Sequence, residues 1–231
     1  MRWLKPLIGI ALAPAALAAV WATGAALGPA LGKFSATAPL LGGAVAGLLL
    51  HGLGRGRRLY VTAHELTHAL AAVLSGVKVR RISVKKSSGY VLLDSTNAFI
   101  SLAPYFIPFY TLAVSAAFWT AGRFWPVSPY RPWFLAAAGF TLAFHLLHTA
   151  DILTGPVQSD LRKAGGAVFS LPLLVLLNCL GLAAALRLLF PGLLSLRAWW
   201  GGMLEAQAAA YAAVAGAALY VFNTAKIYLR T

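Results

Sequence analysis

Seven stretches of this chain are dominated by apolar residues: Leu7 to Leu27, Ala38 to Leu53, Leu59 to Leu74, Ala98 to Ala121, Pro132 to Leu153, Ala167 to Phe190 and Met203 to Ala225. A helix that crosses the hydrocarbon of a bilayer needs about 20 such residues, so each stretch is a candidate span and the second and third are short. The third differs from the rest because it carries His64, Glu65 and His68. After it the period changes. Val77, Val79, Ile82 and Val84, then Tyr90 to Leu93, are strand formers on either side of Ser87-Ser88-Gly89, which reads as a β-hairpin. Gly76 is placed to close the preceding helix. An unpaired sheet edge cannot face lipid, so the hairpin belongs at the interface or in a protein-lined cavity. Further breaks fall at Arg123 to Pro132, Gly155 to Gly166 and Pro191 to Gly202, and no internal repeat is visible. The pattern predicts an all-α polytopic membrane protein of six or seven transmembrane helices with one small membrane-associated β-hairpin, in a single domain over residues 1–231.

Composition strengthens this reading. Hydrophobic residues make up 60% of the chain, against 19 basic and 5 acidic residues, and the mean hydropathy is +0.78. A soluble domain carries roughly a quarter of its residues as charges, so a water-soluble globule and a disordered chain are both excluded. The net charge of +14 raises nucleic acid as a partner, but its distribution argues otherwise. The basic residues cluster between apolar runs, at Arg2 and Lys5, Arg55, Arg57 and Arg58, Lys78 to Lys86, and Arg162 and Lys163. That is where charge flanks membrane spans. The expected partners are the lipid bilayer and a membrane protein, with no nucleic acid. The lone Cys179 lies in an apolar run and can form no intramolecular disulfide. The basic, then apolar, N-terminus is read as the first span and not as a removed leader. The abundance of Ala, Gly and Leu points to a GC-rich bacterial source and hence to the cytoplasmic membrane.

The chemistry concentrates in His64-Glu65-Leu66-Thr67-His68, an HExxH motif. On a helix, positions i and i+4 share a face about 5–6 Å apart. Two imidazoles so placed can both reach one Zn²⁺ at about 2.0–2.1 Å. Glu65 stands next to the first ligand, where it can act as general base on a water whose pKa the metal has lowered to about 7. The motif alone arises by chance in roughly one chain in a hundred. Its setting adds weight: three of the ten histidine and acidic residues fall within five positions of an apolar helix. An ionisable group at bilayer depth costs about 2.5–3.5 kcal/mol on insertion scales, so such groups are retained for function.

Zinc needs a third protein ligand. The segment from His145 to Leu161 holds most of the remaining donors. Asp160, following the Gly155-Pro156 break, is the first candidate; Asp151, one turn from His148, is the second; His148, His145 and Glu205 complete the set. Whichever aspartate is not a ligand can orient one from behind.

At this point the chain resembles the site-2 protease family of intramembrane zinc metalloproteases. The resemblance rests on an HExxH in a membrane helix, Gly76 and a β-hairpin, a proline-rich span with Ala103-Pro104-Tyr105 and Ile107-Pro108-Phe109, and an aspartate several helices later. It covers about Leu59 to Asp94 in detail. In that family the third ligand is the Asp of a Leu-Asp-Gly motif in a later span; the nearest match here is Pro156-Val-Gln-Ser-Asp160-Leu. This segment has no Leu-Asp-Gly and no Asn three residues before Pro156, and its Pro–Asp spacing is one shorter. The resemblance implies a zinc metalloendopeptidase, with one Zn²⁺, that cleaves an unwound transmembrane or membrane-proximal segment of another protein. It also implies a hairpin that holds the extended substrate. An exposed strand edge can pair with such a segment, and Val77, Val79, Ile82, Val84, Tyr90 and Leu92 are the candidate contacts. The oxyanion stabiliser stays open among Asn97, Asn178, Tyr105 and the two later histidines. Two other readings remain: a prenyl-protein-type membrane zinc protease, with Glu205 as ligand, and a membrane metal transporter or scaffold, which needs no base at Glu65.

Overall fold

The computed structural model describes residues 3–228; the Arg2 flank lies outside them. Nine helices and a single two-stranded sheet are formed among these residues. The helices are α1 (Leu4–Gly32), α2 (Phe34–Gly52), α3 (Arg57–Leu74), α4 (Ala98–Leu102), α5 (Phe109–Ala121), α6 (Arg131–Thr154), α7 (Ser159–Ala164), α8 (Ala167–Leu189) and α9 (Leu196–Tyr228); the strands are β1 (Val79–Val84) and β2 (Gly89–Leu93).

Five helices, α1, α2, α6, α8 and α9, are long and apolar enough to cross a membrane. Two stretches decide how this compares with the expected six or seven. The stretch from Ala98 to Ala121 is not one helix: Pro104 and Pro108 lack the N–H that would continue the ladder. The chain makes a single 3₁₀ turn at Ala103–Tyr105, and α4 and α5 meet at 77°. Counted as one broken span, the pair brings the total to six. α3 is an 18-residue helix that begins with Arg57-Arg58 and carries Glu65, so its charge keeps it out of the apolar set.

The long helices pack in close pairs, α2 along α6 and α1 against α8 and α9. Between apolar helices in lipid there is little hydrophobic gain from contact, so small residues that let backbones approach carry the packing. A Cβ on Gly43 would lie 1.8 Å from the Ala136 carbonyl oxygen, and one on Gly139 would lie 2.0 Å from that of Leu40. Across α1, α8 and α9 the core is Ala18, Ala19, Ala22, Ala183, Trp199 and Met203, and Trp199 Nε1 donates to Thr23 Oγ1 at 3.1 Å. Large apolar side chains on the outer faces, such as Trp21, Leu49, Leu188 and Val221, remain exposed. Such a surface suits lipid and not water.

The hairpin forms where the alternation of strand formers predicts it. Gly76 adopts φ 69°, the left-handed conformation that ends α3, and the Val77 amide returns to the Ala72 carbonyl at 2.8 Å. β1 and β2 are antiparallel, with Val84 opposite Gly89 and Val79 opposite Leu93, and a bulge at Arg80. Arg80 and the exposed Asp94 are joined by two hydrogen bonds. Gly89 opens β2 and does not belong to the turn.

Candidate metal centre

α3 supplies both imidazoles on its inner face. Glu65 and His68 are buried and His64 nearly so. Each ring is held from behind. His68 Nδ1 lies 2.8 Å from the Ile100 carbonyl oxygen, which can only accept, so Nδ1 carries the proton and Nε2 is turned toward the cavity. That carbonyl is fixed in turn, because Asn97 caps α4 by accepting from the Ile100 amide at 2.8 Å. His64 Nδ1 stands 3.3 Å from the Tyr60 hydroxyl, one turn back on the same helix.

The third donor arrives from the far side of the chain. α6 ends at Gly155-Pro156, and the six-residue α7 begins at Ser159. Leu161 and Ala164 anchor α7 in a core with Leu102, Tyr105 and Leu174, which leaves Asp160 aimed at α3. Asp160 Oδ2 lies 3.5 Å from His64 Nε2 and 3.4 Å from His68 Nε2, and the Tyr105 hydroxyl donates to the same oxygen at 3.1 Å. Asn178 holds the Tyr105 backbone, donating to its carbonyl at 2.8 Å.

The donor atoms of His64, His68 and Asp160 all lie within 4.8 Å of one another, and among the described residues they form the one group of this kind. Two donors bound tetrahedrally at 2.0–2.1 Å stand about 3.3 Å apart, close to the observed 3.4 and 3.5 Å. The two imidazole–carboxylate separations therefore suit donors of one divalent ion.

No family model matches the chain, and neither does any curated protein or solved structure.

The other sequence candidates lie elsewhere. Asp151 pairs with His51 at 3.4 Å and does not join the triad. His148 stacks on Tyr60 with ring centroids 4.8 Å apart, and its Nδ1 faces the Phe144 carbonyl at 2.9 Å. His145 borders a void of about 20 Å³ behind His64, and its buried Nε2 has no partner among the described residues. Glu205 is exposed on α9. Of the oxyanion candidates, the Asn97 side chain is committed to its cap and the Asn178 amide nitrogen to two carbonyls.

A cavity of about 450 Å³ opens over the triad, bounded by His64, Glu65, His68 and Asp160 on one side and by Gly89 to Leu93 on the other. A strand face would contribute alternate residues only. Five consecutive residues lining the cavity mean that β2 presents its edge, the one β1 leaves unpaired. Tyr90 and Leu92 therefore border the cavity, while Ile82 and Val84 do not; Val77 and Val79 pack with Leu93 against Ala71, Ala72, Ile100 and Ala103. Gly89 has a role that composition does not signal. A Cβ there would lie 2.6 Å from Glu65 Cγ and 2.7 Å from its Oε1, so any larger residue would displace the Glu65 side chain from its present position. Tyr60 was findable as the residue four before His64; Gly89 and the Ile100 carbonyl were not.

Proposed function

We propose that this chain is a membrane-embedded zinc endopeptidase of the site-2 protease kind, hydrolysing peptide bonds in transmembrane or membrane-proximal segments of other proteins. The observation that carries the reading is the convergence of His64, His68 and Asp160, with donor atoms within 4.8 Å of one another, beside Glu65, across a cavity from an unpaired strand edge. Two imidazoles and one carboxylate with an open fourth position are the donor set of a catalytic zinc. When bound, the ion supplies Lewis acidity and brings a water into its reactive range near pH 7.

The chain's own groups do the remaining work. The Glu65 carboxylate takes the proton from the attacking water and returns it to the leaving amine as the C–N bond breaks. Tyr105 and Tyr60 hold Asp160 and His64 in register, and the Ile100 carbonyl holds His68. The edge of β2 offers backbone N–H and C=O groups to an extended segment, which keeps the scissile carbonyl out of the hydrogen bond it would make within a helix. A bacterial cytoplasmic membrane is the setting we assign, on the Ala-, Gly- and Leu-rich composition.

The test is metal analysis of the purified protein together with cleavage of membrane-segment peptides. One equivalent of zinc is expected in the wild type and in Glu65→Gln, with cleavage lost in the latter. A Glu65→Gln protein that binds zinc and keeps full activity in any assay of function would point to metal transport instead.

A further inference from the structure

Three cavities follow one another along α3. The cavity over the triad shares His64, Glu65, Gly89 and Asp160 with a second of about 200 Å³. The second shares Arg57, Tyr60 and Ile152 with a third of about 370 Å³ beneath the α2–α3 loop. The direction of this groove is set by β2, which runs in the same sense as α3: Gly89 rests against Glu65 and Val61, and Leu93 packs near Ala71 and Ala72. A segment paired with β2 therefore passes the triad and continues toward Arg57 and Arg55.

Those two arginines are exposed. Among the described residues neither guanidinium makes a hydrogen bond or an ion pair. Asp151 is the one acid bordering the third cavity, and it is already paired with His51. The loop is nonetheless firmly seated. Gly56 has φ 92° and sits so close to Phe144 that a Cβ would lie 2.7 Å from its ring. The Tyr110 hydroxyl holds the Leu59 carbonyl at 2.9 Å. Two unpaired cations carried on a seated loop at the end of the groove are a site for an anion. Arg57 borders the same cavity as Glu65 and Asp160, so an anion held there lies in the path of the peptide and not on the lipid face.

We propose that Arg57, with Arg55 beside it, selects substrates carrying an acidic side chain on the side of the scissile bond that leaves β2. The inference rests on the hydrolase reading above. From His64 back to Arg57 is seven helical residues, about 10 Å, which an extended peptide spans in about three residues. With the reach of an arginine, the acid falls three to five residues from the cleaved bond.

The experiment uses the full-length, zinc-loaded protein in uncharged detergent. The probes are fluorogenic peptides in which one Asp, Asn or Lys is moved from two to six residues away on each side of the scissile bond. The wild type is expected to favour Asp over Lys at three to five residues on one side only. Arg55→Glu with Arg57→Glu is expected to raise KM for the Asp peptides about tenfold and to lower it for the Lys peptides, while Arg197→Glu on α9 leaves the order unchanged. Zinc content reports whether each variant is intact, and the wild-type series decides on its own if the double variant does not hold metal. Equal cleavage of Asp and Lys peptides at every position overturns the inference and leaves the hydrolase reading standing. So does a loss in the double variant that is equal for all peptides and appears only when the series is repeated in vesicles containing anionic lipid, which would assign the arginines to headgroups. Failure of the wild type to cleave any peptide overturns the hydrolase reading, and this inference with it.

Discussion

The molecule contains two groups of two histidines and one aspartate, and Tyr60 touches both. His64, His68 and Asp160 converge, with donor atoms within 4.8 Å. His51, His148 and Asp151 do not: His51 meets Asp151 at 3.4 Å, and His148 meets His51 only edge to face, at 4.9 Å between ring centroids. The difference lies in what stands behind the side chains. In the first group every donor is held by a second residue, the rings by Tyr60 and the Ile100 carbonyl and the carboxylate by Tyr105. In the second, Asp151 has a side chain that is 63% exposed and is held by His51 alone among the described side chains. Equal inventories of ligand types thus make one candidate metal centre and one surface ion pair, because only buried, oriented donors give up the rotamer freedom that coordination requires.

The largest expected effect comes from exchanging the two aspartates' fates. Asp160→Ala should abolish zinc binding and all hydrolysis, while Asp151→Ala should retain one equivalent of zinc by metal analysis; the reverse result would reassign the centre. Glu65→Gln should retain the metal and lower turnover by about 10²–10⁴-fold, separating binding from chemistry within the first group. Gly89→Ala drives a methyl group into Glu65 and should cost about 10²-fold in turnover with zinc content unchanged, since a shift near 1 Å at a reacting group has that effect. Tyr105→Phe removes the hydrogen bond to Asp160 and should weaken zinc affinity about 10–100-fold in competition with a chelator. The smallest effect belongs to Asn97→Ala. Loss of the cap should cost about 1 kcal/mol of stability and loosen the Ile100 carbonyl behind His68, measurable as a lower unfolding temperature with the metal still bound.

The first group was only half legible in the sequence. His64, Glu65 and His68 are local: helical geometry alone sets their spacing and face, so the motif could be read directly. Asp160 stands 92 residues after His68 and reaches it only through the break at Gly155-Pro156 and the anchoring of Leu161 and Ala164. The sequence could rank it first but could not separate it from Asp151, because both follow His148 closely in a segment rich in donors. The hairpin was legible from its alternating strand formers, but which strand borders the site was not. That depends on Val77, Val79 and Leu93 packing against α3 and the segment after the hairpin, which seats the open end of the hairpin and leaves β2's edge over the triad. The broken span at Pro104 and Pro108 carried its signal openly; the 77° bend makes two helices of what hydrophobicity alone reads as one.

By itself the sequence determined the helical, apolar class of the chain, the position of its hairpin and the i, i+4 pair of imidazoles. These follow from short-range rules: residue period, the dihedral preferences of glycine and proline, and the cost of unpaired backbone groups in an apolar medium. The tertiary structure alone decided which carboxylate joins the imidazoles, which residues hold them, and that Gly89 brings a strand edge against Glu65. Those contacts join residues far apart in the chain, and no local preference encodes a distance between them.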